Sequence, residues 1–345
     1  MPSIKVLNDE PGMFEALHGL GIKGLRLILN GGFKDFKLRY VESLKQSILS
    51  LKQLETLSIS VDADSTGLWD ALHGLYTMRL SLSLGSEMRG SWVDHAESSQ
   101  SLKQSLSSLT LLDTLNISVV YYSPHNPDSP GLWEALHGLS IKSLSLIGHH
   151  LCFELEYATS LNQSLSSLTQ LETLSIGVDV ESPDLWETPH GLNIKRLSLC
   201  GKRGTMRVWH AEESFSQSLS SITQLETLTL HVDTFIALQV PRSLKYFNIY
   251  FNTLLPSELR ELVGTLAGCS HGCSHAIEIN LEFGCASSDE HPNRIPLHEY
   301  IPIEKELVSR TNFVVKRFRI YINRNLIMPY LYVILVVLLT LFTVT

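Results

Sequence analysis

The chain has 345 residues, with 27 Lys and Arg against 35 Asp and Glu, a formal net charge of −8 and a sequence pI near 6.0. An acidic balance argues against a nucleic-acid partner, whose phosphates select a surplus of Lys and Arg. About 60 leucines and about 42 serines, with only 13 prolines, exclude an unfolded chain, and five cysteines in so long a sequence do not make a disulfide scaffold.

The first thirty residues mix Lys5, Asp9 and Glu10 with apolar residues, so no signal peptide is expected. An internal repeat then organises the chain. The phrase FEALHGLGIKGLRL (Phe14–Leu27) returns at Trp69–Leu82, Trp133–Leu146 and Trp186–Leu199. A second phrase, LKQLETLSI (Leu51–Ile59), alternates with it and returns at Leu109–Ile117, Leu168–Ile176 and Ile222–Leu230. Each phrase recurs every 53 to 64 residues or so, which makes each half-unit the size of one solenoid coil.

Every half-unit carries an apolar residue, two variable ones, Leu, one variable residue, then Leu or Ile. Leu54-Leu57-Ile59, Leu112-Leu115-Ile117 and Ile194-Leu197-Leu199 are examples, and at Thr77-Leu80-Leu82 the first apolar slot is lost. The alternation predicts a short, half-buried strand in each copy. Ahead of the second-phrase strands run helical stripes: Leu44, Ile48 and Leu51; Leu102, Leu106 and Leu109; Leu161, Leu165 and Leu168; Phe215, Leu219 and Ile222. Strand, loop, helix and loop, with no room for a hairpin, predict a right-handed parallel coil of class α/β with a concave parallel sheet.

The pattern resembles the leucine-rich-repeat family, whose consensus adds an Asn or Cys three residues after the last strand Leu; Asn30 and Asn252 fit that slot. The alternating helical half-units resemble the ribonuclease-inhibitor type found in intracellular NACHT-type, or NOD-like, immune receptors. The resemblance covers Met13 to about Phe283 and implies a protein-binding scaffold; it names no partner. It divides the chain into a solenoid over 1–285, a worn cap or linker over 286–325 with Pro292, Pro296 and Pro302, and an apolar end over 326–345.

Leu326–Thr345 is twenty residues without a charge, preceded by Lys316, Arg317, Arg319 and Arg324. Twenty helical residues span about 30 Å, the hydrocarbon thickness of a bilayer. A C-terminal transmembrane helix is therefore expected, with the repeats held on the cytosolic side by the basic flank. A buried helix on the last coil is the alternative.

His18, His73, His137 and His190 hold one position of one repeat, which fits a structural cap better than four identical active sites. The stretch Cys269–His275 packs two thiols and two imidazoles too closely for an ordinary tetrahedral zinc site. No metal, cofactor or small-molecule substrate is inferred. No hydrolase elbow, zinc-protease motif or phosphate loop occurs, and no non-repeated polar cluster stands out, so an enzyme is not expected; a hydrolase using Ser and His on the coil is the rival. A soluble fragment of a larger NOD-like receptor is a second alternative.

The variable strand positions are the candidate site. A protein partner is expected on the concave face, over Ser58, Ser81, Asn116, Ser145, Ser175, Ser198, Thr229 and Asn248. The second position of the strand motif alternates in charge, which predicts a ladder Asp113–Lys142–Glu172–Lys195–Glu226–Lys245 between neighbouring coils, with Met78 as a break.

Overall fold

A computed structural model describes residues 1–6, 12–29, 41–61, 67–86, 96–121, 133–149, 155–178, 191–201, 212–232, 235–270, 276–285, 295–310 and 313–321. The chain divides into two compact units, Met1–Leu171 and Glu172–Thr345. Unit 1 holds β1 (Ser3–Val6), β2 (Gly24–Leu29), β3 (Thr56–Val61), β4 (Arg79–Ser86), β5 (Thr114–Tyr121) and β6 (Ser143–His149), with helices α1 (Val41–Ser50), α2 (Ala96–Ser108) and α3 (Leu155–Ser167). Unit 2 holds β7 (Thr173–Val178), β8 (Arg196–Gly201), β9 (Thr227–Val232), β10 (Tyr246–Leu254), β11 (Ile277–Cys285) and β12 (Phe313–Tyr321), with α4 (Glu212–Ser221), α5 (Pro256–Ser270) and α6 (Ile301–Ser309).

Within each unit every strand pairs in parallel with the next strand in the chain. This is a parallel β/α repeat architecture: each coil adds one strand, and the return path runs through a helix or a short turn. The register aligns the repeat. In unit 1, Leu25, Leu57, Leu80, Leu115 and Leu144 lie side by side; in unit 2, Leu174, Leu197, Leu228, Phe247 and Ile279 do so. All ten are buried. The helical stripes face the same core, with Leu44, Leu106, Leu165 and Phe215 at 1% exposure or less. Thr77 shows why the other copies keep an aliphatic residue at its slot: it is buried at 1% exposure, and its hydroxyl finds no hydrogen-bond partner.

The first phrase forms not a full helix but a 3-10 turn at Met13–Leu17 and Trp69–Leu72, short enough to return the chain within one coil. Its His-Gly ends each turn. His18 and His73 cap the turns through backbone N–H groups bonded to the Glu15 and Asp70 carbonyls, and their side chains are exposed. The glycines that follow, Gly19, Gly74, Gly138 and Gly191, adopt φ of 73°, 77°, 76° and 75°, where a Cβ would be strained. Each glycine N–H donates to the last serine of the next helix: Gly19 to Ser50 Oγ at 2.9 Å, Gly74 to Ser108 at 3.0 Å, Gly138 to Ser167 at 2.8 Å, Gly191 to Ser221 at 3.3 Å. The same hydroxyls donate back to their own helices, so one serine satisfies an orphan donor and an orphan carbonyl of two neighbouring coils.

The described part of 286–325, read from the sequence as a worn cap or linker, holds regular structure. Residues 297–309 form a 3-10 turn and α6, and β12 continues the parallel pairing against β11. Pro302 lies in the first turn of α6, where its missing N–H has no bonding duty. Tyr300, fully buried, ties this coil to the previous one by donating to the Leu254 carbonyl at 2.7 Å.

Leu326–Thr345 lies outside the described residues, as do Asn30, His190 and most of Cys269–His275. Among the described residues no helix is long and apolar enough to cross a membrane, and no group of three or more His, Cys, Asp or Glu is placed to hold a metal.

Candidate interaction face

Strands bury alternate residues, so the positions between the core leucines form the opposite, solvent side of each sheet. In unit 1 the register sets Arg26, Ser58, Ser81, Asn116 and Ser145 in one row. In unit 2 it sets Ser175, Ser198, Thr229, Asn248 and Asn280 in one row. Ser58, Ser81, Asn116, Ser175, Ser198 and Asn248 are half-buried; Ser145 and Thr229 are buried at 5% and 8% exposure. The unit 2 row is joined through its side chains. Asn280 Nδ2 donates to Asn248 Oδ1 at 2.6 Å, and Asn248 Nδ2 donates to Thr229 Oγ1 at 3.1 Å.

The charged positions line the N-terminal edge of each sheet, as discrete pairs. In unit 1, Lys23 Nζ lies 2.9 Å from Glu55 and Lys142 Nζ 2.9 Å from Asp113. In unit 2, Lys195 reaches Glu172 at 2.8 Å and Lys245 reaches Glu226 at 2.6 Å. A further pair, Lys316 to Glu278 at 3.4 Å, lies within β12 and β11, one register position away from this series. Backbone bonds hold these partners beside each other, Glu55 N–H to the Lys23 carbonyl and Lys245 N–H to the Glu226 carbonyl, both at 2.8 Å. The Lys23 and Lys245 ammonium groups, donating to Glu55 and Glu226, hold both carboxyls below the usual carboxylate range. All are solvent-accessible, so they fix register more than they stabilise. In unit 1 Met78 interrupts the series between Glu55 and Asp113.

A polar cluster that no repeat foretells occupies the solvent side of β9–β12. His231, Tyr250, Glu282 and Arg319 are register neighbours across four strands. Glu282 is buried at 2% exposure; it accepts from Arg317 Nη1 at 3.0 Å and from the Tyr321 hydroxyl. Burial, then the bond to Glu282, pushes the Tyr321 hydroxyl up from its ordinary value, while Arg319 opposes them. His231 stacks on Tyr250 with ring centroids 4.3 Å apart, and burial lowers its pKa to about 4 against the pull of Glu282. Cys200 sits beside His231 in register, is buried and forms no disulfide. The only advance signal was an acid in the interior of an alternating strand, Glu282 in AIEINLEF.

Parallel strands, helical returns and aligned core residues define a solenoid-like repeat protein. No protein-family model matches the sequence, and comparison with curated proteins gives no match.

Proposed function

We propose that the chain is a leucine-rich-repeat protein of the ribonuclease-inhibitor type, whose sheet face binds a protein partner without catalysis. The observation that carries this reading is the register. One side of each sheet is sealed by fully buried leucines, and the other holds aligned, half-buried small polar side chains at Ser58, Ser81 and Asn116 and at Ser175, Ser198 and Asn248. Such a surface offers many hydrogen-bonding groups at low entropic cost and few side chains that must move on docking.

The β9–β12 cluster supports binding over hydrolysis. His231 is buried and stacked on Tyr250, and both Glu282 oxygens are held by Arg317 and Tyr321, so neither group is open to a substrate.

A photo-crosslinking amino acid at Ser81 or Ser198 is the test, with Lys52 and Gln104 outside the sheet as controls. A discrete protein adduct from cell extract at the sheet positions alone is expected. Adducts at the control positions only, or none at all, overturn the reading.

The membrane tether belongs to the same proposal and is supported by the charge-free run Leu326–Thr345 behind four basic residues. Retention of the full chain in carbonate-washed membranes is expected. Its release would favour a soluble fragment of a larger NOD-like receptor.

A further inference from the structure

The six strands of unit 1 contain no Asp or Glu. Among the described residues, two acids at the N-terminal ends of these strands are already paired, Glu55 with Lys23 and Asp113 with Lys142, and Glu55 also feels Arg79. Cations are not excluded in the same way. Lys5 on β1, Arg26 on β2 and Arg79 on β4 all stand on the solvent side and are exposed, in a protein whose net charge is −8.

Their positions follow from register. Lys5 is paired with Ile28, two residues beyond Arg26 on the neighbouring strand, so their Cα atoms are about 8 Å apart. Arg79 pairs through Thr56 with Gly24, two strands away from Arg26 and two residues short of it, or about 12 Å. Ser58 lies between the two arginines, with Ser81 and Ser60 next to it, all half-buried hydroxyls that can donate to an oxygen anion but carry no charge of their own. An extended peptide repeats every two residues on one face, about 6.8 Å, so side chains four apart are separated by about 13.5 Å. Carboxylates at that spacing match Arg26 and Arg79, and each guanidinium can take one in a two-point fork.

We infer that the solvent face of β1–β4 docks an acidic, extended segment of a protein partner, through Arg26 and Arg79 with Lys5 flanking. This rests on the sheet-face reading above and names the chemistry of its partner. Carboxylates arriving here meet no Asp or Glu in the strands beneath them, and the acidic groups of the chain farther away than about 8 Å are largely screened at physiological salt. Docking is therefore local and register-dependent rather than a general attraction to the chain.

The experiment uses the full chain and a fluorescein-labelled twelve-residue peptide with Glu at every fourth position, read by anisotropy at 50 and 300 mM salt. Binding at low salt is expected, weakened at high salt, and lost at least tenfold in Arg26→Glu/Arg79→Glu. Lys52→Glu, an exposed change outside the sheet with the same sign of charge reversal, should shift affinity less than twofold. Unchanged binding in the double variant, or an equal loss in Lys52→Glu, overturns the inference, as does no binding to the native chain. The Ser81 crosslink separates this failure from failure of the underlying reading. An adduct that survives Arg26→Glu/Arg79→Glu leaves the sheet face as a binding surface and removes the acidic partner. Absence of any sheet adduct from the native chain removes both.

Discussion

Leu115→Ala should destabilise unit 1 by about 2–5 kcal/mol, and Leu25→Ala by less. Leu115 is fully buried between Leu80 and Leu144, two core leucines on the flanking strands, so the cavity left by truncation has packed walls on both sides. Leu25 is as deeply buried, but only one flank of it is a core leucine, Leu57; the other is the exposed N-terminal stretch at Pro2. A one-dimensional array relaxes more readily at its first coil than between two neighbours. Urea unfolding of both variants checks the difference. Equal losses would mean that coils do not communicate mainly with their neighbours.

Acidification should destabilise unit 2 through His231. Burial holds its pKa at about 4 in the fold, below the ordinary 6.5, so the unfolded chain binds the proton more readily. The stability this contributes is complete above pH 6.5 and is lost as pH falls from there to about 4. A gap of this size corresponds to at most about 3 kcal/mol across the window. His231→Phe keeps a flat ring against Tyr250 and removes the proton, so its urea midpoint should fall less between pH 7 and pH 4.5 than that of the native chain. Parallel losses in both proteins would place the titrating group elsewhere.

Much of this was legible in the chain. The spacing of Leu54, Leu57 and Ile59 and of its copies marks strands, because two apolar residues one apart can share a buried face only when extended. The stripes at Leu102, Leu106 and Leu109 mark helices for the same reason at a longer period. Alternating charge at Lys23 and Glu55, or Glu226 and Lys245, translates directly into neighbouring rungs once parallel register is granted. What repeats is readable because several copies report the same environment.

What does not repeat stayed hidden. His231, Glu282 and the Arg317–Tyr321 pair come from three coils and meet only through register, including an irregularity between Ile279 and Asn280 that shifts β12 against β11. The last coil was obscured because KRFR in β12 masks its alternation, although Phe318 still packs edge-on against Phe283 at 5.5 Å. The serine staples were half legible. The recurring histidine suggested a structural cap, but nothing in the sequence singled out the glycine after it, whose N–H donates to a serine on a helix 29 to 34 residues further on.

Hydroxyl-radical footprinting of the full chain, free and with the protein that crosslinks at Ser198, measures most directly whether the sheet face is the binding surface. In unit 2, Tyr246 stands on that face at 47% exposure and Val308 on α6 at 58%, so both react when the chain is alone. The expected result is severalfold slower modification of Tyr246 in the complex with Val308 unchanged. Protection of Val308 with Tyr246 unaffected would place the partner on the helices and contradict the assignment.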